Sequence, residues 1–593
     1  MPESQTPHLL LRIPTPTGQT LSFCEPSPRG MKRWLDALPR ANLGESSRQL
    51  YQALIELNQL RTPSENRLQM LELLRPEVHL ACQLLERHLL NQPVVLDERA
   101  RKIASLCQAL QSHLATGYKL IVARLASTPD KPRPQLMAVA LQRALHSLRG
   151  PLVRACQLYC PVPEGLWLEL HQLYRIALER ELNRLVVKDD LMRHAPGLSV
   201  EHTYLASLLL GCARLNQIRQ GHIACIAEAL ESWAPLARLR PAVERTSTFV
   251  VPVRIDAPPR YRAQLSESEA IRGLGLDTSA LVEALDRHLA MPDAEPAALA
   301  VPTALGEDAL CHLRAAWGNT SERSFQRTRG EGALEVCVGM SAIHFYLAGK
   351  RPFDAVIAHP KAAGSATFTL QGGEPDVWAS AFDARRPGLI GGLGQEQIEF
   401  TARNAPAPSA EESYPTQTAQ VVNQSPGGYC LRWSEVPPLL QAGELLAFKL
   451  DDATPWNLAV VRWIRQVRDG TDTGIELIGP GARSVGLRLV RKQDQGSQYL
   501  RALILPAIAA ISRPATLIAP RVPFQEGHKV ELAIDGGERR AILSQRIAGT
   551  SSFSQFEFRA LDTAIVTAEM PVTARGTKPD GGPEDFDSLW KSL

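Results

Sequence analysis

The chain has 593 residues, of which 44% are hydrophobic and 21% are charged, and its formal net charge at pH 7 is +3. A chain of this length exceeds what one hydrophobic core can hold, so about three to five domains are expected. So small a net charge argues against a dedicated nucleic-acid or anionic-membrane binder, because such proteins concentrate basic residues.

The N-terminal residues, the apolar runs and the cysteines together predict where in the cell the protein is located. Residues 1–7 lack the basic start and apolar stretch of a signal peptide. No apolar run approaches the roughly 20 residues that are needed to span a bilayer. The 10 cysteines show no repeated spacing, which predicts neither a disulfide framework nor a metal site. We therefore expect a reduced, soluble, cytoplasmic protein.

The N-terminal part of the chain is predicted to be a β-hairpin followed by an array of helices. Residues 1–29 contain two apolar runs around a segment rich in proline and threonine, as in a hairpin. From residue 30 to 240, apolar residues recur every three or four positions, which is typical of amphipathic helices. Helices are predicted at residues 47–60, 62–74, 77–90, 98–126, 134–158, 163–187, 200–214 and 222–236.

One stretch of this helical region resembles a known repeat. Trp167, Leu170 and Tyr174 match the opening of a tetratricopeptide repeat, a class whose stacked helix pairs present a concave protein-binding surface. No further copies align at a period of about 34 residues, so an irregular helical domain is favoured over a repeat array. Both interpretations predict a protein-interaction domain without catalytic chemistry.

Residues 241–310 are predicted to connect the helical domain to a β-rich half. A strand is predicted at 248–256, a capped helix at 277–289, and an Ala/Pro linker at 294–302. Beyond them come Arg323 and Arg327, followed by two apolar runs at 333–338 and 342–347 whose alternation predicts strands.

A small antiparallel barrel is predicted downstream. Residues 418–478 contain short β-rich runs at even spacing, separated by turn-forming residues. The hexapeptide at 423–428 lies between the first two runs, and its glycines fall where a chain must turn tightly or let another group approach.

The order of these parts resembles the PilZ domain. Asn-x-Ser-x-x-Gly at 423–428 precedes a strand, Leu-x-x-Gly precedes a second strand, Val-x-Trp lies in a third, and Gly-Ile-Glu-Leu lies in a fourth. PilZ domains are six-stranded barrels that bind the bacterial second messenger cyclic di-GMP. The resemblance implies a ligand site built from an Arg-x-x-x-Arg segment and from this turn.

The two halves of the implied site lie far apart in this sequence. The turn is intact, but its near upstream residues contain no arginine pair. We assign the first half to the arginine segment, and a long insertion at about residues 348–412 then separates the halves. The competing interpretation has two degenerate barrels, one that keeps the arginines and one that keeps the turn. The implied ligand-binding residues are Arg323, Arg327, Arg329, Asn423, Ser425, Gly427 and Gly428.

These residue types suit the chemistry of cyclic di-GMP. Its two phosphates and guanine edges are acceptors that the planar fork of arginine can bond in pairs, and guanidinium faces also stack on bases. Asn423 and Ser425 can address a guanine edge from a turn, while Gly428 leaves room for the ring. The alternatives without a ligand are that Asn423 and Ser425 cap the backbone of their own turn, and that Arg323 and Arg327 are surface charge on a loop.

The C-terminal residues form a β-rich module and a tail. Residues 501–565 alternate and contain a good hairpin turn at 535–537, so they are a second barrel or complete the first. Residues 566–593 are rich in Gly, Pro and Asp, which predicts disorder. The acidic and aromatic end at 584–593 is either a short docking helix or a solubilising tail.

The sequence thus predicts a multidomain α+β protein: an N-terminal α-helical array, a PilZ-like antiparallel β-barrel and a further β-rich module. The predicted domains are residues 1–29, 30–240, 241–310, 311–500, 501–565 and 566–593.

The predicted function is a cyclic di-GMP receptor that signals to a protein partner through the helical domain or the tail, with no cofactor, metal or membrane insertion. The alternative is a non-catalytic scaffold whose degenerate barrel binds no nucleotide. Nucleic-acid binding by Arg462, Arg465 and Arg468 is disfavoured. Phosphate-binding and hydrolase motifs are missing, and His344, in a predicted strand, has no catalytic partner nearby, so an enzyme is not predicted.

Overall fold

The computed structural model describes residues 11–90, 92–127, 133–244, 246–292, 299–318, 327–358, 413–451, 454–490, 497–508, 513–534 and 536–561. Arg323, most of the predicted insertion and the predicted tail at 566–593 lie outside the described residues. Within this part of the chain, no helix is long and apolar enough to cross a bilayer.

The N-terminal unit is a helical domain with one small hairpin. Its helices are α1 (Pro28–Asp36), α2 (Leu43–Gln59), α3 (Ser64–Glu86), α4 (Glu98–Ala126), α5 (Pro134–Gln157), α6 (Leu166–Glu179), α7 (Val200–Cys212) and α8 (Gln220–Trp233). The hairpin pairs β1 (Val186–Lys188) with β2 (Gly197–Ser199). Helix α5 is buried along most of its length and forms the centre of the domain.

The structure corrects three predictions for the N-terminal part of the chain. Residues 11–23 form no hairpin; the backbone of Gly18 instead hydrogen-bonds to the end of α2, accepting from Arg61 and donating to Gln59. Helix α3 runs unbroken through Pro76, because apolar residues on both sides of the proline stay buried. The helix predicted to end at 187 stops at residue 179, and Glu181 then takes a positive φ of 55°.

A charged cluster is buried between these helices. The Asp189 carboxylate accepts hydrogen bonds at 2.7 Å from both Nη1 and Nη2 of Arg75, and Nη1 of Arg143 lies 3.0 Å from the same carboxylate. The Asp189 side chain has no exposed surface. This cluster connects α3 and α5 to the loop that follows β1.

A four-stranded sheet and three helices connect this domain to the barrels. The sheet has the order β3-β6-β4-β5. Its elements are β3 (Arg238–Pro241), β4 (Phe249–Val251), β5 (Arg260–Tyr261) and β6 (Leu274–Asp277), and the helices are α9 (Glu267–Ala270), α10 (Ser279–Ala290) and α11 (Glu307–Trp317).

The first barrel is closed by six antiparallel strands. They are β8 (Ala333–Val338), β9 (Gln417–Ser425), β10 (Gly428–Trp433), β11 (Leu445–Lys449), β12 (Asn457–Val467) and β13 (Gly470–Pro480). The order around the barrel is β8-β9-β10-β13-β12-β11, and β11 pairs back to β8. A short strand, β7 (Thr328–Arg329), continues β8 along the edge of β9.

The predicted strand at 342–347 is wrong. These residues lie in α12 (Met340–Leu347), which is followed by α13 (Phe353–Ile357). Ile343 of α12 is buried in a cluster with apolar residues of both barrels, and this packing favours a helix over a barrel strand. Nε2 of His344 lies 3.2 Å from the Val485 carbonyl oxygen, and burial lowers the pKa of His344 to about 4.

Residues 483–561 form a second closed barrel, which decides between the two predicted alternatives. Its strands are β14 (Arg483–Leu489), β15 (Leu500–Leu505), β16 (Thr516–Pro520), β17 (Lys529–Ile534), β18 (Gly537–Gly549) and β19 (Phe553–Ala560). The order is β14-β15-β16-β19-β18-β17. Since β14 pairs within this barrel, the boundary near 483 corrects the one predicted at 500.

Arg219 joins the helical domain to both barrels. It precedes α8 and contacts the Glu444 carboxylate of the first barrel and the Ser552 hydroxyl of the second. Ser552 also donates to Glu444 at 2.7 Å, and the hydroxyl of Thr550 donates to the Gly443 carbonyl at 2.7 Å. The three units therefore meet at one polar junction.

Candidate functional site

The structure places the described arginines beside the Asn-x-Ser-x-x-Gly turn. Strand β7 pairs with the end of β9, so Arg329 lies directly opposite Asn423, and Thr328 lies opposite Gln424. Because β7 and β9 edge the same closed barrel, the interpretation with two degenerate barrels does not describe this fold. Arg327 immediately precedes β7 and is exposed.

The turn between β9 and β10 is held by its own polar groups and by β13. The Ser425 hydroxyl donates to the Gly428 carbonyl at 3.3 Å, and the Gly427 carbonyl accepts from the Leu477 amide at 3.0 Å. A Cβ atom at Gly428 would lie 2.0 Å from the Ile475 carbonyl oxygen. The last glycine of the motif is therefore needed so that β10 can approach β13.

A row of residues crosses the barrel from the turn to β12. Asn423 is opposite Cys430, Cys430 is opposite Gly474, and Gly474 is opposite Trp463. Residues directly opposite each other share one face of a sheet. The adjacent Leu431 belongs to the barrel core, so this row lies on the outer face of the barrel.

Trp463 supplies an aromatic surface at the end of this row. Its indole covers Gly474, where a Cβ atom would lie 2.0 Å from Nε1. The guanidinium carbon of Arg465 is 5.9 Å from the ring centroid, within cation–π range. In the sequence, Val-x-Trp indicates only a strand, so Trp463 was not among the predicted site residues.

A second outer-face row runs parallel to the first. Arg432, Asp472 and Arg465 are opposite one another on β10, β13 and β12. The Asp472 carboxylate accepts from Nε of Arg432 at 2.7 Å and from its Nη2 at 3.0 Å, and Nη2 of Arg465 is 3.4 Å away. Asp472 is almost fully buried and therefore holds Arg432 in place.

Several charged groups of this face influence the pKa of the Cys430 thiol. Burial raises the pKa of the Cys430 thiol, and the Asp472 carboxylate raises it further. The positive charges of Arg327, Arg465 and Arg432 act in the opposite direction on the same thiol. Arg327 is therefore close enough to the row to influence it, and the face presents arginines, an amide and an indole together.

A closed six-stranded barrel with arginines beside an Asn-x-Ser-x-x-Gly turn places this protein in the PilZ class. The family model "Cyclic-di-GMP receptor FimW, middle PilZ domain" matches residues 248–484. Models for the N-terminal domain and the C-terminal beta-barrel domain of the same family match residues 29–243 and 485–561. The last match begins close to the barrel boundary that the strand pairing defines.

The chain belongs to the FimW family. The "Cyclic-di-GMP receptor FimW" of Pseudomonas aeruginosa is 54% identical, and the alignment covers 100% of both chains. No solved structure matches this chain.

Proposed function

We propose that this chain is a receptor that binds cyclic di-GMP on the outer face of its first barrel. The observation that carries the proposal is the pairing of β7 with β9, which sets Arg329 opposite Asn423. Two segments separated by roughly ninety residues thereby offer one continuous surface to a ligand. The family match supports the same conclusion.

Each group on this face has a distinct role in the proposed complex. Arg327 and Arg329 bond phosphate oxygens or guanine acceptors, as does Arg323, which lies outside the described residues. Asn423 and Ser425 address a guanine edge. Gly427 has no side chain and lets the ligand approach the backbone of the turn. Gly428 supports the turn by allowing β10 to approach β13.

Trp463 extends this site beyond the motif residues. Its indole is fixed over Gly474 on the same outer row as Asn423. Aromatic faces stack on nucleobases with an energy of about 1–3 kcal/mol per base. We assign Trp463 the role of a stacking surface for a guanine.

We also propose that the chain has no catalytic activity and that it is cytoplasmic. The family is described as a receptor family. All ten cysteines are free thiols, which fits a reducing compartment. A protein partner at the helical domain or the C-terminal tail receives the signal.

Gln466 provides a route from the ligand face to the helical domain. It lies on β12, three residues beyond Trp463, and its backbone amide donates to the Tyr159 carbonyl at 2.8 Å. Its side-chain amide donates to the carbonyls of Val94 at 2.6 Å and Leu158 at 3.0 Å. A ligand that shifts β12 therefore acts directly on the residues after α5.

We expect Gln466→Ala to uncouple the domains while leaving the ligand face intact. The variant loses two hydrogen bonds of about 0.5–1.5 kcal/mol each across the interface. Affinity for cyclic di-GMP should change less than about threefold, a free-energy difference below about 0.7 kcal/mol. The ligand-dependent change in hydrogen exchange at residues 94 and 158 should disappear, because their carbonyls lose the side-chain hydrogen bonds.

A matched control for this experiment is Gln545→Ala, which alters an exposed glutamine of the second barrel. This variant should keep the wild-type exchange response. If Gln466→Ala also kept that response, transmission through this contact would be ruled out.

Calorimetric titration of the full chain tests the receptor proposal itself. Cyclic di-GMP is expected to bind with micromolar or tighter affinity, while cyclic di-AMP, whose adenine lacks the guanine O6 acceptor, should bind at least about tenfold more weakly. Absence of binding heat with cyclic di-GMP would contradict the receptor proposal and favour the scaffold alternative.

The structure does not support the disfavoured nucleic-acid role. Arg462 pairs with Glu476 at 2.6 Å, and Arg465 faces the Asp472 carboxylate.

A further inference from the structure

An open groove lies on the helical domain where the start of α2 meets the end of α3 and the first turns of α4. Its volume is about 800 Å³, and its apolar wall is formed by Leu43, Leu85, Ile103 and Leu106. All but Leu85 are only partly buried. The wall can therefore gain burial from another segment, which is favourable for apolar surface. We call it the α3–α4 groove.

The edge of the α3–α4 groove carries uncompensated positive charge. Arg99 and His88 line the groove and are exposed, and neither pairs with a carboxylate in the part of the chain that the structure describes. Two acidic side chains also line the groove, but both are in use. The Asp97 carboxylate caps the first turn of α4, and Glu98 pairs with Lys102 at 2.7 Å. The groove therefore favours a segment that is both apolar and acidic.

The helical domain as a whole has the same sign of charge. Residues 29–243 contain 28 arginine and lysine residues but only 19 aspartate and glutamate residues. Residues 584–593 contain three acidic residues and one lysine. The opposite net charges of this domain and of the C-terminal segment favour their association.

Residues 584–593 also have the apolar pattern that a groove requires. Phe586 is followed by Leu589, Trp590 and Leu593 at positions i+3, i+4 and i+7. This is the spacing at which an amphipathic helix places its apolar face in a hydrophobic groove. Asp585 immediately precedes the repeat, at the position of an N-cap residue. A helix this short is not stable alone in water, so the pattern predicts a helix that forms against a surface.

The chain itself holds this segment near the groove. The described residues end at Leu561, and the 24 residues 562–585 separate it from Phe586. Fully extended, they span about 80 Å. Tethers of this kind give an effective concentration in about the millimolar range, so even a contact with a dissociation constant of about 100 µM would be about 90% formed.

We propose that residues 584–593 dock in the α3–α4 groove of the same chain, with the apolar face of the segment against the wall and its acidic residues towards Arg99. The docked segment excludes other partners from the groove. Neither half of this interface includes a residue of the ligand face, so the inference is independent of the receptor proposal.

A peptide added in trans tests whether the groove is occupied in the full chain. The probe is a fluorescent peptide of residues 580–593, titrated into the wild type and into the full-length double variant Phe586→Ser/Trp590→Ser, whose own segment has lost two anchors. The peptide should bind the double variant at least about tenfold more tightly, because the wild-type segment competes from the same chain. Equal affinity for both chains would overturn docking in cis, and binding to neither would overturn the site itself.

Sedimentation of the wild type distinguishes docking within one chain from docking between copies. A mass that does not depend on concentration is expected. A dimer that forms with rising concentration and is lost in the double variant would assign the segment to a second copy and contradict the proposal.

Charge reversal at the groove edge locates the site. Arg99→Glu, added to the double variant, should weaken peptide binding about threefold or more, as expected when an exposed attraction becomes a repulsion. A peptide with Asp585→Lys and Asp587→Lys should recover the lost affinity. Arg184→Glu is the matched control, since it reverses an exposed arginine of the same domain that does not line the groove, and it should leave peptide binding unchanged.

Photo-crosslinking identifies the contact directly. The peptide with a photoreactive group at position 586 should attach within residues 85–106 of the double variant. Attachment elsewhere, or peptide affinity that does not respond to Arg99→Glu, would refute the assignment to this groove. Cyclic di-GMP titrations of all these variants should match the wild type, so failure of this proposal and failure of the receptor proposal give different results.

Discussion

Alanine in place of Arg327 or Asn423 is expected to weaken cyclic di-GMP binding by about 5- to 150-fold in each case. Both side chains border the same outer face, Arg327 beside β7 and Asn423 on β9. A bidentate contact to a base or phosphate contributes about 1–3 kcal/mol, which corresponds to this range of affinity. Calorimetric titration of the full chain measures the effect.

The same titration distinguishes one shared site from two unrelated segments. Arg559→Ala, which removes an exposed arginine from the second barrel, should bind like the wild type. Binding that survives Arg327→Ala and Arg323→Ala but not Asn423→Ala would mean that the phosphate-binding arginines come from elsewhere. Loss of cyclic di-GMP binding in all three variants, with unfolding midpoints like that of the wild type, supports a single site.

The second large effect is expected from Asp189→Asn in the helical domain. The substitution keeps the shape of the side chain but leaves Arg75 and Arg143 buried without their carboxylate. Removing one member of a buried charge cluster destabilises a protein by about 3–5 kcal/mol. Urea unfolding at pH 7, followed by the far-UV helical signal, measures the difference in free energy.

The same difference should depend on pH. Burial raises the pKa of Asp189, but hydrogen bonds and charge from Arg75, with the charge of Arg143, outweigh burial and hold the pKa below its ordinary value. A depressed pKa contributes stability that is complete above the unfolded value of about 3.9 and is lost as pH falls through the folded value. The difference in free energy of unfolding between the wild type and Asp189→Asn should therefore decrease below about pH 4.

An exposed carboxylate provides the control. Asp286 pairs with Arg314 at 3.1 Å and is about half exposed; an exposed ion pair contributes about 0–1 kcal/mol. Asp286→Asn should therefore unfold like the wild type at every pH. An Asp189→Asn protein as stable as the wild type at pH 7 would show that the buried cluster is not a net source of stability.

The long helices were predictable because their apolar residues repeat with the helical period. The predicted segments at 98–126 and 134–158 differ from α4 and α5 by at most one residue. The strand predicted at 342–347 was wrong because this run lacks such a repeat. A short apolar run that is buried on several sides has no usable period, and packing between two barrels then decides its conformation.

The site was only partly predictable from the sequence. The turn follows from a local motif, and the arginine segment was assigned through the resemblance alone. The row from Asn423 through Gly474 to Trp463 depends on the register of four strands, and register is set by tertiary pairing. No local pattern could therefore show that Trp463 lies on the ligand face.

The split of the first barrel also affects how the chain folds during synthesis. Strands β8 and β9 are neighbours in the barrel but are separated by residues 339–416. Joining strands across roughly eighty residues costs about 2–3 kcal/mol more in loop-closure entropy than joining them across about five. The barrel cannot close before β13 has left the ribosome, whereas the helical domain is complete about 240 residues earlier. The folded helical domain is then available as a surface on which the late strands of the barrel assemble.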